Sequence, residues 1–133
     1  MARAKLDLKG FEAYLEAIAQ AGKDVDASAD KALLAGAQPV KAEMQRLAPK
    51  DKGNLEAHIQ IDGPYREGNY HWVEVGLIRK SSMTDADTMR YGLAQEFGTS
   101  SMEAHPYIRP GKDRGRAKSR SEMKKSLKED GVL

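Results

Sequence analysis

The sequence predicts an α+β fold in which a long kinked helix packs on a small antiparallel sheet, with a short helix and a C-terminal helical segment. Two patterns support this class. Apolar residues recur at helical spacing from 25 to 47, whereas they alternate with polar residues from 55 to 62 and from 70 to 77. Because 133 residues suffice for one modest core, we expect a single domain over residues 1–110 and a basic helical extension over residues 111–133.

Two helices are predicted in the first third of the chain. The first carries apolar residues at helical spacing, Phe11, Tyr14, Leu15 and Ile18. Asp7 is its expected N-cap and Gly22 its stop. The second runs from Val25 to Leu47 and ends before Pro49. Pro39 removes a backbone donor inside it, so we expect a kink; a full break is disfavoured because the apolar residues on both sides stay in phase.

Two antiparallel strands follow. Leu55 to Asp62 and Tyr70 to Leu77 both alternate apolar and polar side chains, and Gly63 to Asn69 has the composition of the connecting turn region. The sequence leaves the number of strands open, with residues 98–108 and residues 131–133 as the two places for a third strand.

A polar loop and a further helix are predicted after the hairpin. Residues Ile78 to Asp87 show no period and should form a projecting loop. Thr84-Asp85 is the expected cap of a helix whose apolar side contains Ala86, Met89, Leu93 and Phe97. Gly98 should close this helix, because glycine accepts a left-handed backbone without steric cost.

The residues before Pro110 are predicted to form a short rigid arm. His105-Pro106 and Arg109-Pro110 bracket Tyr107 and Ile108, and a residue before proline is pushed toward extended backbone. Tyr107 and Ile108 are the expected anchors of the arm.

The C-terminal segment concentrates the positive charge. From Arg109 onward there are nine Lys or Arg against four Asp or Glu, a net charge of +5, whereas the rest of the chain carries −3. Met123 and Leu127 are the only sizeable apolar residues in residues 111–130, so we expect this stretch to bury little in this domain and to be partly ordered until a neighbour covers it. Its possible basic contacts are Arg114, Arg116, Lys118, Arg120, Lys124 and Lys125.

No residue pattern supports catalysis or a cofactor. The chain lacks cysteine, and the three histidines, His58, His71 and His105, have no metal-ligand spacing. We expect all three to be structural or surface residues, with His105 capping the loop that precedes it. Glu96 is expected to form an ion pair with Arg109 or Arg90. The start of the chain lacks an apolar signal region and no run is long enough to span a membrane, so neither secretion nor insertion is expected.

Two short motifs carry a resemblance to a known family. Glu96-Phe97-Gly98-Thr99, followed by residues 104–110 (AHPYIRP), resembles the signature of the tail-completion or tail-component proteins of long-tailed phages. Residues 48–55 (APKDKGNL) resemble an upstream element of the same family, in the expected order. Lys52 replaces the usual threonine, which affects a local hydrogen bond, and Tyr107 replaces a commoner phenylalanine, which conserves ring packing.

The resemblance implies a virion structural protein that forms a ring, expected to have six subunits, between the head connector or stopper and the tail tube. Its partners would be itself, the tail tube protein and the connector. It implies no enzyme activity. The motif or interface residues would be Pro49, Gly53, Leu55, Glu96, Phe97, Gly98, Thr99, His105, Pro106, Tyr107, Ile108, Arg109 and Pro110. The alternative hypothesis is a small nucleic-acid-binding module whose basic C-terminal segment neutralises phosphates.

Overall fold

The computed structural model describes residues 2–49, 54–78 and 85–131. In chain order the elements are β1 (Arg3–Asp7), α1 (Glu12–Gln20), α2 (Val25–Leu47), α3 (Asn54–Ala57), β2 (Ile59–Glu67), β3 (Tyr70–Leu77), α4 (Asp85–Phe97) and α5 (Ile108–Gly131). This arrangement confirms the α+β class. The structure of the predicted loop tip, of Thr84 and of Gly53 lies outside the described residues.

The three strands form an antiparallel sheet in the order β1-β3-β2. Leu6 pairs with Val73 and Ile61 pairs with Val75, so one face of the sheet is apolar. Helix α2 packs on that face. The third strand, which the sequence left open, is β1 at the start of the chain. Its pairing partner lies about seventy positions away, and local alternation over five residues does not reveal such a partner.

The predicted first strand of the hairpin began too early. Leu55 and Ala57 belong to α3, where the His58 N–H donates to the Leu55 carbonyl at 3.0 Å. The strand β2 instead starts at Ile59 and continues through the predicted turn region to Glu67, with a register shift between Asp62 and Tyr65. A bulge allows the strand to continue through Gly63 and Pro64, although glycine followed by proline usually indicates the end of a strand.

Helices α1 and α2 follow the predicted apolar faces. Phe11, which directly precedes α1, and Ile18 within α1 are buried, and the buried row of α2 includes Leu33, Val40 and Met44. The helix α2 continues through Pro39 and ends at Ala48, which is extended as expected before proline. The cap predicted at Asp7 is wrong, because Asp7 ends β1 and α1 begins after Phe11.

The C-terminal segment is far better buried than predicted. Helix α5 packs along α2, and the predicted extension boundary at Pro110 falls inside α5. Its buried row recurs at four-residue intervals and consists of Gly111, Gly115, Ser119, Met123 and Leu127. A Cβ on Gly115 would lie 2.9 Å from Val40 Cα, so the two helices approach backbone to backbone. The contact between α5 and α2 therefore comes from the close approach of their backbones and not from large side chains.

Candidate assembly site around Glu96

The carboxylate of Glu96 organises the motif segment. Glu96 is buried near the end of α4, and its Oε1 accepts the backbone N–H groups of Tyr107 at 2.8 Å and Ile108 at 2.7 Å. The Arg109 N–H donates to Oε2 at 3.3 Å. Since α5 begins at Ile108, these N–H groups lack helical partners, and a negative charge beside them is favourable. Glu96 therefore caps α5 from another helix.

The predicted role of Glu96 was wrong. Among the ion pairs that the structure describes, none joins Glu96 to Arg90 or Arg109. Arg90 instead lies beside Asp87, and Arg109 contributes its backbone N–H. The nearby arginines in the sequence suggested a charged side chain as the partner of the Glu96 carboxylate. The partners are instead backbone N–H groups.

Tyr107 is the buried anchor of the segment, as predicted. Its side chain is fully buried and its hydroxyl donates to the Gly92 carbonyl at 3.1 Å. Burial, reinforced by the negative charge of Glu96, raises the pKa of the Tyr107 phenol. A Cβ on Gly92 would lie 2.9 Å from the Tyr107 hydroxyl, so only glycine leaves the space for this bond.

The two motif segments meet at Gly92. Leu55, from the upstream motif, is buried, and its Cδ1 would lie 2.7 Å from a Cβ on Gly92. Pro49 is half-buried between α2 and this region, and Gly53 lies outside the described residues. The two motifs are separated in the sequence, but the fold brings Leu55 and Tyr107 against the same turn of α4.

A tight loop joins α4 to the arm. Gly98 has φ 76°, a left-handed value, and it closes α4 as predicted. Thr99 pairs with Met102, and the Ser101 N–H donates to the Thr99 hydroxyl at 3.2 Å. The cap of this loop is therefore Thr99. The predicted cap, His105, has an exposed side chain and ties the arm down through its N–H, which donates to the Gln95 carbonyl at 2.6 Å.

The arm itself is only half as long as predicted. Arg109 and Pro110 belong to the first turn of α5, where proline needs no N–H partner. The exposed part is thus His105-Pro106, next to the loop of residues 99–101.

Phe97 was predicted on the buried face of α4 and is instead 56% exposed. The buried face contains Thr88, Met89, Gly92, Gln95 and Glu96. Apolar periodicity missed this face because three of its five members, Thr88, Gln95 and Glu96, are polar. Phe97 borders a cavity of about 230 Å³ whose lining includes Ala2, Ala4 and Arg109.

A second exposed apolar surface lies on the sheet face turned away from α2. Trp72 stacks between Tyr65 and Tyr70, with ring centroids 5.6 Å and 5.3 Å apart, and the Lys5 ammonium sits over Trp72 and Tyr70. We call Tyr65, Tyr70 and Trp72 the aromatic ladder. Sequence analysis did not single it out, although Tyr70 and Trp72 alternate with the buried residues of β3.

The predicted basic contacts differ in their surroundings. Arg114, Arg116, Lys118, Lys124 and Lys125 are exposed on α5. Arg120 is engaged within the fold, because it donates to the Lys9 carbonyl at 2.8 Å and lies 4.1 Å from the Phe11 ring centroid.

The histidines are separated in the fold. His58 is buried beside α3 rather than on a polar strand face as predicted, and His71 is buried with its Nε2 2.9 Å from Asp26. The hydrogen bond with His71 and the charge of Arg66 lower the pKa of Asp26. Within residues 2–49, 54–78 and 85–131, no group of acidic or histidine side chains is placed to hold a metal ion. No helix in the same ranges is long and apolar enough to cross a membrane.

Comparison with protein families identifies the chain's relatives. Residues 9–98 match the family described as "Bacteriophage HK97-gp10, putative tail-component". The chain belongs to this family of phage tail components. The matched range includes Leu55, Gly92 and Glu96 and stops before Tyr107, so the resemblance of the arm rests on its own residues. Comparisons with curated proteins and with solved structures give no match.

Membership makes the chain a structural component of the phage tail and therefore of the virion. The motif residues that carry the resemblance have a structural role in this fold. Leu55, Glu96 and Tyr107 are buried and join α3, α4 and α5, so they fix the geometry around the exposed Phe97.

Proposed function

We propose that this tail component is a ring subunit at the neck, where it completes the tail and joins the head connector or stopper to the tail tube. Family membership supports the tail assignment. The observation that carries the ring assignment is the exposure of Phe97 on a segment that is otherwise fixed by buried hydrogen bonds. A large exposed aromatic side chain on a rigid base is a typical interface anchor.

A ring needs two different complementary patches on each subunit. The first patch in this proposal is Phe97 with the neighbouring loop and Arg109. The second is the aromatic ladder on the open face of the sheet. Tyr and Trp are enriched at interfaces because they combine a large apolar body with a polar group. We expect six subunits, as the family resemblance implies.

The test is assembly of the purified protein alone and with tail tubes, followed by sedimentation and electron microscopy. The variant Phe97→Ser should reduce ring formation or tube binding while leaving the melting temperature nearly unchanged, because an exposed side chain contributes little to the fold. Leu34→Ser is a matched control, since Leu34 is an exposed large apolar residue on α2.

Two results would contradict the proposal. One is a wild-type protein that stays monomeric and ignores tail tubes. The other is an equal loss of assembly in the Phe97 and Leu34 variants, which would mean that general surface hydrophobicity drives association.

A further inference from the structure

The outward face of α5 presents a row of cations that the fold itself does not use. Arg114, Lys118, Lys125 and Lys128 are all exposed and follow one another at steps of four, seven and three residues. These steps keep the side chains on one side of a helix. We call these four residues the basic row.

The basic row is held on a fixed support. The opposite side of α5 is the buried row that contacts α2, and a Cβ on Gly111 would lie 2.8 Å from Met44 Cα. Near the end of α5, Lys31 pairs with Asp130 at 3.1 Å. This ion pair also ties the end of α5 to α2. Because α5 is already fixed on α2, the cations of the basic row lie on one exposed side of the helix before any partner binds.

In the part of the chain that the structure describes, the cations of the basic row form no ion pair. Among the described residues, ion pairs engage Arg3, Lys31, Arg46, Arg66 and Arg90. None of these pairs involves the basic row. Lys125 and Lys128 also line a shallow concave surface of about 410 Å³, together with Lys124, Ser121 and Glu129. A concentration of unpaired positive charge attracts a polyanion.

The composition of this face favours phosphates over a protein surface. Protein interfaces are centred on apolar and aromatic residues and are depleted in lysine. The exposed side of α5 contains lysines, arginines, small residues such as Ala117 and Ser121, and two carboxylates, Asp113 and Glu129, with no aromatic residue. Without an aromatic residue, this face cannot stack on bases, which favours a contact with the phosphate backbone.

We propose that the basic row of α5 binds the phosphate backbone of duplex DNA without sequence preference. At a rise of about 1.5 Å per residue, the row spans roughly 21 Å. A duplex presents one phosphate charge per roughly 1.7 Å of its axis, so the row can face phosphates over its whole length. This inference goes beyond the proposed ring function and does not require it.

The experiment compares the wild-type chain with a variant in which Arg114, Lys118, Lys125 and Lys128 are all changed to Gln. Binding to a fluorescent duplex of mixed sequence is measured by anisotropy over a series of salt concentrations. The logarithm of the wild-type affinity should fall linearly with the logarithm of salt. The variant should bind more than about tenfold more weakly at low salt, with a slope reduced by roughly 0.9 for each lost phosphate contact.

A matched control removes the same charge elsewhere. Lys9, Lys23, Arg46 and Arg90 are exposed and lie outside α5. Changing these four to Gln should leave most of the salt slope intact. A single strand of the same length should bind the wild-type chain more weakly than the duplex. Circular dichroism checks that both variants keep their helices.

Three results would overturn the inference. The first is wild-type protein without salt-dependent duplex binding, and the second is an equal loss in both variants. The third is a basic-row variant that binds duplex normally but no longer assembles with other subunits or tail tubes, which would assign the face to a protein partner. Assembly is scored by sedimentation on the same samples, so failure of the ring proposal is distinguishable from failure of this one.

Discussion

Two regions hold α5 in place by different means. Around Glu96, one buried carboxylate accepts the first N–H groups of the helix, and the Tyr107 hydroxyl bonds to Gly92. Along the rest of α5, the support is close contact between small residues and α2, as at Gly115. The first region depends on polar chemistry at a few atoms, whereas the second depends on shape over a long surface.

This difference teaches which substitutions each region tolerates. A polar cap can lose one hydrogen bond and retain others, so its losses should be graded. A backbone contact has no room to adjust, because the atom facing a new side chain is main chain rather than a flexible side chain. Substitutions in the two regions test this contrast, beginning with the one that should cost the most stability.

The largest effect is expected at the helix contact. Gly115→Val should destabilise the protein by about 4 kcal/mol or prevent folding, because its branched side chain meets the backbone of α2. A Cβ alone would already lie 2.9 Å from Val40 Cα and 3.1 Å from the Pro39 carbonyl oxygen. Urea unfolding measures the loss, and Gly115→Ala provides a milder substitution at the same site.

The control for this prediction is Ala117→Val, since Ala117 is exposed on the same helix. It should cost less than about 1 kcal/mol, which is the scale of helix propensity. Similar losses for the two valine variants would contradict the close contact between α2 and α5.

The next effect is expected at the carboxylate. Glu96→Ala should destabilise the protein by about 3 kcal/mol, because buried N–H groups lose a charged acceptor. Glu96→Gln keeps one oxygen and should lose roughly half as much. Thermal unfolding ranks the variants. Glu103→Ala, at an exposed position in the same segment, should change stability little, and an equal loss there would argue against a specific cap.

A smaller effect is expected from Tyr107→Phe. The variant keeps the buried ring and loses the hydroxyl that donates to Gly92 at 3.1 Å, so it should lose about 1 kcal/mol. Chemical unfolding measures the difference from wild type. A neutral or stabilising result would mean that the Gly92 carbonyl finds another donor.

The effect that is smallest at neutral pH is a dependence of stability on alkaline pH. Because the pKa of Tyr107 is raised in the folded state, the stability that favours its neutral form is present below pH of about 10 and is lost as the pH rises further. The slope from this group is at most about 1.4 kcal/mol per pH unit. Wild type should therefore lose stability faster than Tyr107→Phe above that pH.

Tyr65 provides the comparison for this measurement. Its hydroxyl donates to Asp62, which raises its pKa, but the side chain is exposed on the sheet. Tyr65→Phe should therefore alter the alkaline slope less than Tyr107→Phe. The reverse order would contradict the burial of Tyr107.

Sequence analysis found the residues of the Glu96 region because they are distinctive in type and close in sequence. Proline, glycine and a buried tyrosine within twenty residues give local signals, and Tyr107, Ile108 and Gly98 have the predicted roles. The partner of Glu96 was not predictable in the same way. Every residue except proline has a backbone N–H group, so the sequence does not show which of these groups a carboxylate will bind.

The contact between α2 and α5 escaped sequence analysis for a different reason. Glycine and serine carry little hydrophobic signal, so the segment that contains Gly111, Gly115 and Ser119 was expected to bury little in this domain. Strand β1 was missed because its partner β3 is distant in the chain, and Phe97 was misplaced because buried polar residues rotate the inward face of α4.

Local sequence patterns were sufficient for the α+β class, the apolar face of α2, the closing glycine of α4 and the resemblance to a family of phage tail components. These features depend on local periodicity and backbone preference, which act between near neighbours. Only the tertiary structure decided that Glu96 caps α5, that small residues join α5 to α2, and that Phe97 faces outward. Each of these depends on distances between segments that are separate in the chain, and no local pattern contains those distances.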